Sequence, residues 1–115
     1  MTNALVFANG DVLDGPMVRR TLDAVDEPLI VAADGGTVTY AQYTGGYGNL
    51  VKISHGKGVE TYYAHNSSFL VKVGDKVAKG QPIALMGSTG RSTGSHCHFE
   101  IRINGVTYNP LNYLP

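Results

Sequence analysis

The sequence predicts an α+β, mostly β protein: an antiparallel β-sheet domain preceded by a short β-α-β segment. Three observations carry this. From Thr37 to Ile103, short apolar or alternating runs recur with glycine-rich turns between them, the pattern of an antiparallel sheet or sandwich. The chain holds 15 glycines in 115 residues, and most fall after Asp34. Helical periodicity is confined to the stretch before Asp34, where Val18, Leu22 and Val25 recur at i, i+4 and i+7.

In chain order, Ala4 to Ala8 is a short apolar run, closed by the turn residues Asn9-Gly10-Asp11. Asp14-Gly15-Pro16 reads as a helix start, because proline in the first turn gives up an N–H that has no helical partner. Glu27-Pro28 ends the helix. Leu29 to Ala33 is a second apolar run, so the unit reads strand, helix, strand, which ordinarily makes a parallel pair. Beyond Asp34 the predicted strands are Thr37 to Ala41, Leu50 to His55, Val59 to His65 across a Gly56-Lys57-Gly58 hairpin, Lys72 to Val77, Gly80 to Met86, and His96 to Ile103, with a turn at Asn104-Gly105.

Bulk properties exclude several functions. Hydrophobic residues make up 43% of the chain, enough for a core, while charged residues make up 16% and the net charge is zero. No basic surface for nucleic acid and no acidic tail is expected. A lone cysteine, Cys97, cannot form an internal disulfide. The first residues have neither the basic start nor the apolar length of a signal peptide, and no stretch is long and apolar enough for a membrane span, so the chain as written reads as cytoplasmic.

Chemistry concentrates on four histidines: His55, His65, His96 and His98. His96 and His98 lie two apart on a predicted strand, so their imidazoles share a face, while Cys97 points the other way as a small core residue. Two convergent imidazoles can share a metal, or one can bind metal while the other moves protons; two satisfied surface histidines is the plain alternative. A loop rich in glycine and hydroxyl groups, Gly87 to Ser95, precedes the pair and suits a groove for an extended peptide. The Gly45-Gly46-Tyr47-Gly48-Asn49 loop permits close backbone approach.

Residues 32–115 resemble the lysostaphin-type zinc metallopeptidases that cleave peptidoglycan. The resemblance rests on Ala33-Asp34-Gly35-Gly36-Thr37-Val38, Gly45 to Asn49, Tyr63-Ala64-His65, Val71 to Gln81, Gly87-Ser88-Thr89-Gly90, His96-Cys97-His98-Phe99-Glu100 and Asn109-Pro110-Leu111, in family order and spacing. It implies the lysostaphin-type β-domain (a duplicated hybrid motif), with zinc as cofactor and a cell-wall peptide as partner. By the same resemblance His98 is a metal ligand and His65 and His96 are catalytic histidines, handling protons and the oxyanion while zinc activates water.

The sequence departs from that family upstream. Its remaining ligands come from an H-x-x-x-D, but no histidine precedes His55 here. The nearest echo is Arg19-Arg20-Thr21-Leu22-Asp23, with a guanidinium where the imidazole belongs. Asp23 is then either a leftover metal ligand or a carboxylate on a helix face. The expected function is a peptidoglycan endopeptidase-like domain with an incomplete zinc site, inactive, or a chimeric or engineered folded protein. The alternative is an active zinc metalloendopeptidase completed by Asp23, His55 or a partner chain. A carrier-domain reading of Val71 to Ala84, which resembles a biotinyl or lipoyl hairpin, lacks a modifiable lysine.

Residues 1–36 resemble instead the N-terminus of thiamine pyrophosphokinases, through Phe7 to Asp11, the helix, and Leu29 to Gly36. Both resemblances share Ala32-Ala33-Asp34-Gly35-Gly36, which suggests a chimera joined there. Kinase activity is not expected from so short a match. A transplanted helix and an open strand edge predict a homodimer or swapped oligomer. The peptidase family itself is usually exported, against the cytoplasmic reading of the N-terminus.

Overall fold

A computed structural model of the chain describes residues 5–7, 12–13, 15–22, 29–87, 89–90 and 98–110. Its elements are β1 (Leu5–Val6), β2 (Val12–Leu13), α1 (Gly15–Leu22), β3 (Leu29–Val31), β4 (Gly36–Thr44), β5 (Gly48–Gly56), β6 (Val59–Asn66), β7 (Ser68–Phe69), β8 (Lys76–Val77), β9 (Pro82–Leu85), β10 (His98–Ile103) and β11 (Val106–Tyr108), with one 3-10 turn at Gly45–Tyr47. Six strands form the main sheet in the order β11-β10-β6-β5-β4-β8, and β3-β9-β7 form a smaller one. Every pairing among them is antiparallel.

Alternation explains how the main sheet acquires two faces. Val38, Val51, Ile53, Tyr63, Phe99 and Ile101 point into the principal core, where they meet Ile30 and Ile83 of the smaller sheet. Tyr62, Leu50 and Ala64 form a second cluster with Tyr40 and Tyr47. That second cluster is the base on which the site stands.

The strand, helix, strand order of the front segment is present, but the parallel pairing expected for it is not. Leu5–Val6 pairs antiparallel with Val12–Leu13 in a hairpin. Strand β3 pairs antiparallel with β9 and so belongs to the β-domain rather than to a unit of its own. Pro16 sits in the first turn of α1 as expected, and Val18 is fully buried. Phe7 and Val18 both join the principal core, so the helix buries an apolar face within its own chain. Leu22 ends the described helix, and Val25 lies outside the described residues.

Lys72 to Val77 is the other revision. Its alternation suggested a strand, but only Lys76–Val77 is one. The residues before it form a turn in which Gly74 has φ 96° and the Asp75 carboxylate accepts the Lys72 backbone N–H at 3.0 Å. The Gly56-Lys57-Gly58 and Asn104-Gly105 turns are as expected, with positive φ at each of these residues, which glycine and asparagine take up readily.

Candidate functional site

Cross-strand register assembles the site on the face that carries Tyr62. Tyr40 pairs with Lys52, Lys52 with Tyr62, and Tyr62 with Glu100, a row across four strands. His98 is two residues before Glu100 on β10, and Arg102 two residues after it, so all three share that face.

His65 reaches the same face by a different route. Tyr63 points into the core, so strict alternation would send His65 there too. The β5–β6 register instead shifts between Asn49 and Val51, and His65 takes φ 63°. This bulge redirects the imidazole, whose ring centroid stands 5.7 Å from that of His98, edge to face. A left-handed backbone at a non-glycine residue costs about 1–3 kcal/mol, and such strain clusters at functional sites.

Thr89 holds the bulge in place. The His65 Nδ1–H donates to the Thr89 carbonyl at 2.6 Å. The Thr89 hydroxyl donates to the Asn66 carbonyl at 2.6 Å and accepts the Asn49 N–H at 3.0 Å. One side chain thus ties the start of β5 and the end of β6 to the loop. Close approach demands glycine at Gly48 and Gly90: both have positive φ, and a Cβ on either would overlap the facing backbone of the other loop.

Glu100 is the electrostatic centre. Its Oε2 accepts from His98 Nε2 at 2.7 Å and from the Tyr47 hydroxyl at 2.9 Å. Its Oε1 accepts from Arg102 Nε at 3.0 Å and Nη2 at 2.8 Å, and the same Nη2 donates to Tyr47 Oη at 3.0 Å. Burial works against the charge on Glu100, but these hydrogen bonds from His98, Arg102 and Tyr47 outweigh it and hold the carboxyl below its ordinary range. Burial, and then the bond to Glu100, push the Tyr47 phenol up, so it stays a donor. With Nε2 committed to the carboxylate, the lone pair of neutral His98 is on Nδ1.

Gly46, Tyr47, His65, His98 and Glu100 line an open groove of about 490 Å³. The His98 side chain is 44% exposed in it, against 12% for Glu100. Imidazoles, a phenol and a carboxylate along a shallow groove can bind the amides of an extended peptide and exchange protons with them. Asp23, His96 and Cys97 lie outside the described residues, as does most of the hydroxyl-rich loop. Among the described residues no three His, Cys, Asp or Glu side chains gather into a metal cradle. A catalytic zinc needs three protein ligands, so the described residues do not by themselves fit one.

His55, offered by the sequence as a substitute ligand, is excluded from that role by its surroundings. It is buried, Nδ1 bonds the Gly35 carbonyl and Nε2 the Thr61 hydroxyl, both at 2.7 Å, and the Phe7 ring packs against it. The sequence also left Glu100, Arg102, Tyr47 and Thr89 without individual roles. Two-residue spacing from His98 was a usable signal for the first two; Tyr47 and Thr89 act through loop contacts that no local pattern announces.

A family model for peptidase family M23 matches residues 21–110. The chain belongs to peptidase family M23. Among its M23 relatives is the DD-carboxypeptidase/endopeptidase Mpg of Neisseria meningitidis serogroup B, 51% identical over 85 residues, which are 74% of this chain and 19% of that protein. The murein hydrolase activator NlpD of Escherichia coli is 46% identical over 89 residues, 77% of this chain and 23% of NlpD. This chain therefore spans about a fifth to a quarter of these relatives. Among solved M23 structures, the catalytic domain of the antimicrobial peptidase lysostaphin from Staphylococcus simulans superposes with a TM-score of 0.69 at 34% identity, over 72% of this chain and 67% of that one. The lysostaphin-type antiparallel fold expected from the sequence is the fold observed.

Proposed function

We propose that this chain is a non-hydrolytic M23 domain that binds cell-wall peptide in the groove over His65 and His98. The observation that carries the reading is the position of Arg19. The one echo of the missing H-x-x-x-D places this guanidinium, exposed on α1, where a ligating imidazole belongs. Asp23, His96 and His98 stay in this reading as remnants of a zinc site rather than a working one. The relatives support a cell-wall ligand, since one is named a DD-carboxypeptidase/endopeptidase and the other a murein hydrolase activator. The activator shows that an M23 relative can carry a name other than peptidase, which is compatible with a binding role for this site. A cell-wall ligand also puts the working domain outside the cytoplasm.

Two further parts of the proposal concern origin and assembly. The origin of residues 1–36 in a thiamine pyrophosphokinase-like N-terminus is supported by their sequence alone, while the M23 match begins at residue 21 and β3 docks in the β-domain. Chains associate through an open sheet edge, where β11 exposes Val106 and Tyr108, and light scattering across a concentration series reads the mass directly.

Purified peptidoglycan tests the function. The chain should sediment with it and release no new amino termini from it. Cleavage that disappears in His98→Ala would overturn the proposal in favour of an active zinc endopeptidase with a rebuilt ligand set.

A further inference from the structure

The face that carries the groove continues past Glu100 and Tyr62 to a second cluster. Lys52 Nζ lies 4.7 Å from the centroid of the Tyr40 ring and 4.8 Å from that of Tyr62. Tyr40 is itself fixed, its hydroxyl bonded to Thr44 and accepting from Gln42 Nε2 at 3.0 Å. Tyr62 also packs against Arg102, whose guanidinium stands 4.4 Å from the ring centroid. The ammonium therefore sits in a cradle built from three strands rather than at the end of a freely moving stem.

Arg102, the other cation on the Tyr62 ring, has its charge answered, and among the described residues Lys52 has no carboxylate that answers its own. Arg102 is paired with Glu100, and Lys72 with Asp75. Among the described residues no carboxylate stands within ion-pair distance of Lys52. Electron-rich ring faces attract a cation, by about 0.5–2 kcal/mol, but add no counter-charge. The Lys52 ammonium is therefore oriented and half-buried, on the same face as the groove.

Register gives the spacing. Lys52 is two strands from β10 and one two-residue step from the row of His98. At ~4.8 Å between strands and ~3.4 Å per residue, their backbones are about 12 Å apart. That is the reach of three to four residues of extended peptide.

We propose that Lys52, held between Tyr40 and Tyr62, is the subsite for a carboxylate of the bound peptide, three to four residues from the point over His65 and His98. The proposal rests on the peptide-binding reading above and adds the chemical class of ligand group it selects: an acidic side chain or a free peptide carboxylate.

The test is affinity for purified peptidoglycan, native and with its free carboxylates converted to amides, measured for the wild-type chain, Lys52→Met and Lys52→Arg. Methionine keeps the apolar stem against the rings, and circular dichroism checks each fold. Amidation should weaken the wild-type chain about tenfold, as expected for loss of a charge-assisted hydrogen bond. Lys52→Met should bind both forms alike, at the weaker level, and Lys52→Arg should restore the preference. Amidation without effect on the wild-type chain overturns the proposal, and so does a Lys52→Met variant that still prefers the native form. A wild-type chain that fails to bind native peptidoglycan sinks the cell-wall reading instead. The tetrapeptides Ala-Glu-Ala-Ala and Ala-Gln-Ala-Ala, acetylated at the amino end and amidated at the carboxyl end so that the glutamate carries the only carboxylate, then probe Lys52 alone, and equal affinity or no binding overturns it.

Discussion

A single carboxylate organises the groove. Glu100 takes hydrogen bonds from His98, Tyr47 and Arg102, so it fixes the His98 tautomer, the Tyr47 ring and the guanidinium at once. Glu100→Gln preserves shape but removes the charge those donors answer. Loss of about 1–3 kcal/mol is expected, measured by urea unfolding, together with a change in the nitrogen chemical shifts of the His98 ring. Unaltered shifts would show that the carboxylate does not hold the tautomer. His55 is the opposite case, a histidine committed to structure. Its Nδ1–H donates to Gly35, its Nε2 accepts from Thr61, Thr61 accepts from Tyr63, and Tyr63 accepts from the Ala33 N–H. Charging the ring would force the Thr61 hydroxyl to turn round. Burial holds the His55 pKa below that of an ordinary imidazole. The unfolded chain therefore binds the proton more readily: stability is complete above the unfolded value of about 6.5 and is lost as pH falls through the lower folded value. Unfolding midpoints should decline from pH 7 to 5 in the wild-type chain and less steeply in His55→Gln; equal slopes would contradict this. The family motifs set His55 apart from the other three histidines, but its structural role was not legible in the sequence, because that role lies in the sheet face the register gives it.

At the scale of elements, the site depends on an irregularity. The β5–β6 bulge and the left-handed His65 turn an imidazole from the core face to the groove, and Thr89 with the Gly48 and Gly90 approach holds it there. Gly48→Ala should cost several kcal/mol, about 3, because strain at positive φ adds to overlap with the Thr89 backbone. Thermal unfolding reads the loss, and a variant as stable as the wild type would show that the two loops do not meet as described. Regular strands were legible in advance from alternation, as Leu50 to His55 and Val59 to His65 demonstrate. The bulge was not, since strict alternation contradicts it, and neither was the turn at Lys72 to Asp75, whose alternation imitates a strand.

For the whole molecule, the identity of the sheet domain was legible because its glycine turns and histidine motifs sit at fixed spacings along the chain. The antiparallel docking of β3 against β9 was less so: an apolar run beside a helix reads equally well as half of a parallel pair, and only the partner strand decides. Phe7 and Val18 in the principal core tie the front segment to that domain. The main sheet thus turns one face to the core, and its other face carries Lys52 and the His65–His98 groove. The central claim is that this face binds peptide without a complete zinc site, and the zinc content of the purified chain tests it most directly. After equilibrium dialysis against micromolar zinc, the account predicts well under one zinc per chain, unchanged in His98→Ala. One tightly held zinc per chain, lost in His98→Ala, would contradict it.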